Sequence, residues 1–482
     1  MATTPTERTT GTRVSPAPHP DQRRVLTVLV AAQALSGAGM AAGITVGALL
    51  AQQMLGTTAL AGLPVALFTT GAALGAFAIG RLSQRRGRRP GLALGHATAA
   101  IGSLGVVAAA TLGNAPLLLA ALALYGAGSA TNLLARYAGA DLAPPERRGR
   151  AVSTVLVATT LGAVAGPNLT AVTGDLAHAW NLPRLAGPFL LAAVAYAAGA
   201  LVIQTLLRPD PLLLARAGTA PPAGTPAPTG PAASASAPRL LTGATVMTVG
   251  QLVMVAVMTM TPVHMAGHGH GDHATGLAIA AHVAGMFLPS PLSGLLVDRV
   301  GERRTAMASG AVLATAAGLA ALAPPENAAL LITALALLGV GWNLSLVSGT
   351  SLVTDAVPLA RRASVQGLAD VGLALAGASG GMLSGLLVAA TGYPALAAGG
   401  AALSLAVVPL LALIPPTHAH PADGIKPGIP PTHAHPADGI KPGIPPTHAH
   451  PADGIKKGCP PTHAHPADGT KTGEPTHSRT DE

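Results

Sequence analysis

The chain has 482 residues, of which 50% are hydrophobic and 10% charged, where a soluble domain carries about 25% charged residues. Its apolar stretches run well past the roughly 18 residues that mark a membrane span, so a water-soluble globular fold is excluded. The formal charge of +9 does not indicate a nucleic-acid partner, because the arginines stand at span ends and no basic stripe alternates with aromatics.

Residues 1–24 form a polar arm with Pro5, Pro16, Pro18 and Pro20, expected on the cytoplasmic side. The apolar run that follows starts too late and lasts too long for an ordinary cleaved signal peptide. Six apolar windows then lie at about 25–50, 58–80, 91–112, 116–139, 151–173 and 186–207. Residues 208–239 are rich in Pro, Ala, Gly and Ser and read as a semi-flexible linker without helical periodicity. Six further windows follow at about 240–262, 274–297, 305–323, 328–353, 363–390 and 394–414. The expectation is an all-α membrane protein of twelve transmembrane helices in two six-helix bundles, 25–207 and 240–414. The scarcity of aromatics, 2%, and the 59 glycines suit close helix approach.

Residues 415–482 repeat Pro-Pro-Thr-His-Ala-His-Pro-Ala-Asp-Gly from 415, 430, 445 and 460. So proline-rich and apolar-poor a tail is expected to be disordered. Its histidine pairs offer a metal buffer, and a repeat expansion without a dedicated role accounts for them as well. The one cysteine, Cys459, lies in this tail.

Arginine sets the expected orientation. Arg81, Arg85, Arg86, Arg88 and Arg89 fill the second connection, Arg147, Arg148 and Arg150 the fourth, Arg299, Arg303 and Arg304 the eighth, and Arg361 and Arg362 the tenth, while the odd connections hold only Arg184. Basic loops stay inside, which puts both termini and the linker in the cytoplasm of a plasma-membrane protein.

The halves are related. Gly80-Arg-Leu-Ser-Gln84-Arg85-Arg-Gly87-Arg88-Arg89 recurs as Gly294-Leu-Leu-Val-Asp298-Arg299-Val-Gly301-Glu302-Arg303, at an offset of 214. The same offset carries Asp141 to Arg148 onto Asp355 to Arg362. A duplication implies pseudo-symmetric bundles with a site between them near the midplane.

On these segments the chain resembles the major facilitator superfamily over residues 25–414. The resemblance implies a secondary transporter in which Gly80, Arg85, Gly87, Arg88, Gly294, Asp298, Arg299 and Gly301 help hold a cytoplasmic gate. Gln84 departs from the family's aspartate, which places any charge relay on Asp298 and Arg299. Span five holds Gly162-Ala-Val-Ala-Gly166-Pro167, similar to the glycine-proline hinge of antiporters in the superfamily, although Thr170 and Ala171 replace its trailing glycines. Close helix packing explains the same glycines.

No phosphate-cradling loop, nucleophile elbow or H-E-x-x-H helix is present, so an enzyme is not indicated. Asp370 is the one clear carboxylate inside an expected span and is a candidate for proton coupling or for pairing with an arginine. His96, Arg136 and His282 are the other deeply placed ionisable residues and functional candidates; His96 and Arg136, near cytoplasmic span ends, are equally placed to snorkel.

Met247 to Met286 holds six of the eleven methionines. Met254 and Met258 in span seven, and His282 and Met286 in span eight, share helix faces four apart. Met254 and His282 would both lie roughly 11–12 Å deep. Thioether with imidazole selects a soft cation such as Cu(I), and methionine equally fills apolar gaps. The two pairs resemble the motifs of copper importers in the superfamily, which implies ligand roles for these four residues. The outer loop, with His264, His268, His270 and His273, offers metal capture or a plain hydrophilic turn.

The expected activity is copper uptake by alternating access, with proton-coupled export of a small organic molecule as the alternative. The expected partners are the lipid bilayer and a small solute or metal ion. No obligate protein partner or tightly bound cofactor is evident; copper would be a transient cargo.

Overall fold

The computed structural model describes residues 19–55, 63–219 and 236–413. The polar arm, the middle of the linker and the repeat tail lie outside the described residues. Fifteen helices and no strands are found among those described. Apolar helices are the expected outcome, because a chain in lipid must satisfy its backbone polar groups internally.

The first half comprises α1 (Gln22–Leu55), α2 (Leu63–Arg86), α3 (Arg88–Leu112), α4 (Ala115–Ser129), α5 (Thr131–Ala140), α6 (Arg148–Ala179) and α7 (Gly187–Leu206). A short α8 (Pro211–Thr219) follows. The second half comprises α9 (Ala237–Gly267), α10 (Asp272–Phe287), α11 (Ser290–Val300), α12 (Glu302–Leu322), α13 (Ala328–Ala356), α14 (Arg362–Thr391) and α15 (Tyr393–Leu413). Nine helical segments among the described residues are long and apolar enough to cross a membrane. Helices α1, α6 and α15 occupy the other three expected spans.

Two expected spans are each made of two pieces. Span four is α4 and α5, stepped at Ala130. Span eight is α10 and α11, interrupted where Pro289 and Pro291 remove two backbone donors. Asn343 on α13 bridges that break, donating Nδ2 to the Met286 carbonyl and to Ser290 Oγ, both at 2.7 Å.

The start of the linker is ordered, contrary to the reading of 208–239 as aperiodic. Leu212 of α8 is fully buried, and Asp210 Oδ1 caps the helix by accepting from Leu212 N at 3.0 Å and Leu213 N at 3.2 Å. The proline-rich composition hid a single amphipathic helix of about two and a half turns between Pro211 and Thr219.

Large apolar side chains such as Leu112, Val194, Leu322 and Leu386 are exposed, which water would penalise and lipid does not. Two apolar clusters fill the first half. A third, in the second half, also takes in Ala140, Val152 and Leu156 of the first, so the two halves share a core where α6 meets α10 and α11.

Candidate functional site

The halves meet through a polar seam at the arginine-rich end. Two close helix crossings make it. A Cβ on Gly80 of α2 would fall 2.8 Å from Gly367 Cα of α14, and a Cβ on Gly294 of α11 would fall 2.5 Å from the Gly149 carbonyl of α6. Only glycine permits both approaches. Gly80 and Gly294 are equivalent under the offset of 214; on the facing helices Gly149 corresponds to Ala363 and Gly367 to Ser153, and these residues make the matching contacts.

Each crossing is capped by the fourth residue after its glycine. Asp298 accepts from Gly149 N at 2.8 Å, Arg150 N at 3.2 Å and Arg150 Nε at 2.8 Å, at the positive N-terminus of α6. Gln84 does the equivalent on the other side: its Oε1 accepts from Ala363 N at 2.7 Å and Ser364 N at 3.3 Å, at the N-terminus of α14. Its Nε2 also donates to the Ala360 and Leu359 carbonyls at 2.7 and 3.2 Å. The glutamine therefore replaces an aspartate without leaving the helix end uncapped. Arg85 and Arg299 are exposed, so the expected relay through Arg299 is corrected: the cation that meets Asp298 is Arg150. Backbone geometry gives Arg299 its outward position, since it follows Asp298 directly on the helix and points to another side.

Gly87 and Gly301 hold positive φ values of 95° and 96° at the starts of α3 and α12. A side chain there would be strained, and at Gly87 a Cβ would also run into the Asp210 carboxylate. That carboxylate accepts from Arg89 N at 2.8 Å, tying α8 to α3. Arg216 of α8 donates to the Gln84 carbonyl at 3.0 Å and the Leu359 carbonyl at 3.4 Å, reaching both halves.

Arg88 is buried. It donates Nε to Asp141 Oδ2 at 2.7 Å, Nη2 to Asp141 Oδ1 at 3.3 Å, and Nη2 across the seam to Gln366 Oε1 at 2.5 Å. On the other side Arg148 pairs with Asp355, and Arg239 pairs with Glu302.

Deeper in the seam, Arg136 of α5 is fully buried and forks onto Asp370 of α14, with Nη2 to Oδ1 at 2.6 Å and Nη1 to Oδ2 at 3.1 Å. Tyr137 donates to Asp370 Oδ1 at 3.2 Å, and Arg136 Nε donates to Thr350 Oγ1 at 2.9 Å. Thr350 is the repeat equivalent of Arg136, so the two meet on the pseudo-twofold axis. Asp370 stands eight residues into α14, about 12 Å from its start. Arg136 does not snorkel; the facing half supplies its counter-charge. Neither does His96, which is buried against Tyr196 and donates Nδ1 to the Leu92 carbonyl at 2.9 Å. The hydrogen bonds that Gln84, Arg88, Arg136, Asp298 and Arg216 make between the halves all lie in this seam.

The soft-donor residues are arranged differently from the expectation. Helix α10 packs chiefly on α13, not on its chain neighbour α9. Gly285 and Gly339 bring the two backbones together, since a Cβ on either would fall 2.3 Å from the opposite helix. His282 donates Nδ1 to the Leu335 carbonyl at 2.9 Å, while Nε2 is buried without a partner. Met254 is buried in the large apolar cluster, and Met258 and Met286 pack against the same cluster.

The outer histidines are divided between the end of α9, the turn after it and the start of α10. Helix α9 continues to Gly267, which places His264 on the helix with its ring stacked on Tyr393, centroids 4.3 Å apart. His268 donates to the His264 carbonyl at 2.8 Å and His270 to the Pro325 carbonyl at 2.7 Å, while His273 is exposed. Among the described residues no group of three His, Cys, Asp or Glu converges to hold a metal. Gly162 packs on α1, where a Cβ would fall 2.3 Å from Ala38 N. Gly166 and Pro167 lie within α6, and their packing is outside the described residues.

The sequence singles out Arg136 without its partner, and it does not point to Thr350, Gln366 or the partnership of Gln84 with α14. The offset of 214 was the available signal, because it maps Arg136 onto Thr350 and Gln84 onto Asp298.

A family model of the Major Facilitator Superfamily matches residues 28–274 and 240–453. The chain is 50% identical over 392 residues, 81% of its length and 91% of the relative's, to the uncharacterized MFS-type transporter YdeG of Bacillus subtilis. It is 33% identical over 360 residues, 72% of its length and 85% of the relative's, to the riboflavin transporter RfnT of Brucella anthropi. Among solved structures, the human organic anion transporter MFSD10 superposes with a TM-score of 0.66 at 17% identity, over 82% of this chain and all of that one. The proton:xylose symporter XylE does so with 0.63 at 16%, over 82% and 96%. Helical architecture, repeat and relatives agree: the chain belongs to the major facilitator superfamily, a multi-pass membrane protein of a family of transporters rather than enzymes.

Proposed function

We propose that this protein carries a small organic solute across the plasma membrane by alternating access, with the arginine-rich seam as its cytoplasmic gate. The observation that carries the reading is the pairing of the seam across the halves. Its crossings, its caps and three of its ion pairs, Arg136–Asp370, Arg148–Asp355 and Arg150–Asp298, join one bundle to the other, so parting them opens a path on that side. The interior polar groups suit an organic solute: Gln33 donates to the Asn132 carbonyl, Asn132 to Tyr196, and Trp342 to Gln251, at 2.8, 2.6 and 2.7 Å. The 33% identity to a riboflavin transporter favours the same class. Both termini are cytoplasmic in this reading, since basic loops stay inside.

Asp370 is the coupling group. Opening the gate must separate it from Arg136, and leaving one member of a buried pair uncompensated costs about 3–5 kcal/mol. A proton on Asp370 lowers that cost.

Copper keeps one observation in its favour, the unpartnered His282 Nε2 beside the cluster that holds Met254, Met258 and Met286. The relatives lend it no support. Proteoliposomes given labelled riboflavin in one arm and radioactive copper in the other separate the readings. The organic reading expects saturable flux of the flavin or a related heterocycle, stimulated by a pH gradient and kept in Met254→Ala/His282→Ala. Copper flux abolished by that double variant, with no organic flux, overturns it.

A further inference from the structure

Beside the Gly80 crossing, α2 and α14 diverge and leave an apolar crevice of about 400 Å³ lined by Thr70, Ala73, Leu74, Phe77, Leu368 and Leu375 among others. It opens away from the solute path. At 100° per residue, Leu368 and Leu375 stand about 140–160° around α14 from Asp370, and both are more than half exposed. The crevice therefore faces lipid.

Its arginine-rich end carries charge. Leu74, Phe77, Arg81 and Arg85 recur at helical spacing along one face of α2. The Arg81 guanidinium folds back over the Phe77 ring, 4.2 Å from the centroid, at the mouth of the crevice. Arg81 and Arg85 are exposed, and neither has an acidic partner among the described residues. An apolar slot with unpaired guanidinium groups at one end complements a molecule with a hydrocarbon chain and an anionic head.

We propose that this crevice is a binding site for an anionic phospholipid of the leaflet at the arginine-rich face, with an acyl chain between α2 and α14 and its phosphate at Arg81 and Arg85. Because one wall belongs to each bundle, the lipid holds the halves together beside the gate and favours the closed seam.

The test is native mass spectrometry of the full chain in detergent, titrated with phosphatidylglycerol or phosphatidylcholine. Two arginines at a lipid surface give the anionic lipid a preference of roughly thirtyfold for the first bound molecule. Arg81→Gln/Arg85→Gln removes the preference, Leu74→Trp fills the crevice and weakens binding of both lipids, and Arg86→Gln, on another face of α2, changes neither. Equal binding of the two lipids by the unmodified chain overturns the proposal, as does a preference that survives the double variant. Full competition by inorganic phosphate overturns the part played by the acyl chain.

Discussion

Removing the Asp370 carboxylate strands the fully buried Arg136 without its counter-charge, so Asp370→Asn is expected to lower stability by about 3–5 kcal/mol, read as thermal unfolding in detergent. Arg136→Leu/Asp370→Leu, which removes both charges, is expected to be more stable than either single change. In proteoliposomes, Asp370→Asn should retain solute exchange and lose accumulation driven by a pH gradient; unimpaired accumulation would remove Asp370 from coupling. Asp370 was legible in the sequence as a lone carboxylate inside a span. Its partner was not, because Arg136 lies close to a loop and an arginine so placed snorkels unless another element covers it. That cover comes from α14, 234 residues away in sequence.

Helix ends make the polar seam that we propose as the gate, and their capping is local chemistry used between bundles. Asp298→Ala uncaps α6 and is expected to cost about 0.5–2 kcal/mol, the ordinary worth of a cap. Gln84→Ala should act on α14 in the same sense. With Cys459→Ser as background, a cysteine at Thr354, buried in the seam, should react faster with a membrane-impermeant thiol reagent added from the cytoplasmic side in both variants; unchanged labelling would separate capping from gating. The broken span eight is a second element-scale feature. Asn343→Leu leaves the Met286 carbonyl without its donor, and an unsatisfied buried group costs about 1–3 kcal/mol, measurable as a lowered unfolding temperature. Two prolines announced the break in the sequence, but the residue that bridges it lies on another helix.

At the scale of the whole molecule, the proposed gate requires the two glycine crossings to set which face is closed. Gly80→Leu or Gly294→Leu inserts a side chain where backbones touch. Each is expected to leave the protein folded in the membrane while raising cytoplasmic labelling of the Thr354 cysteine and lowering transport. Unaltered transport by both variants would mean that the crossings do not set the equilibrium. The number of spans, the arginine-marked face and the duplication were all readable in the chain, because hydropathy, charge and repetition are properties of sequence segments taken one at a time. Which helices touch was not readable. Neighbours in the chain, α9 and α10, gave way to α10 on α13 because glycines on α10 and α13 allow a closer approach, and the metal-ligand expectation rested on the neighbours. The sequence alone thus determined a duplicated bundle of apolar helices with basic loops on one side. The tertiary structure decided the pairing of Arg136 with Asp370 and of Gln84 with α14, because burial and counter-charge depend on contacts between residues far apart in the chain.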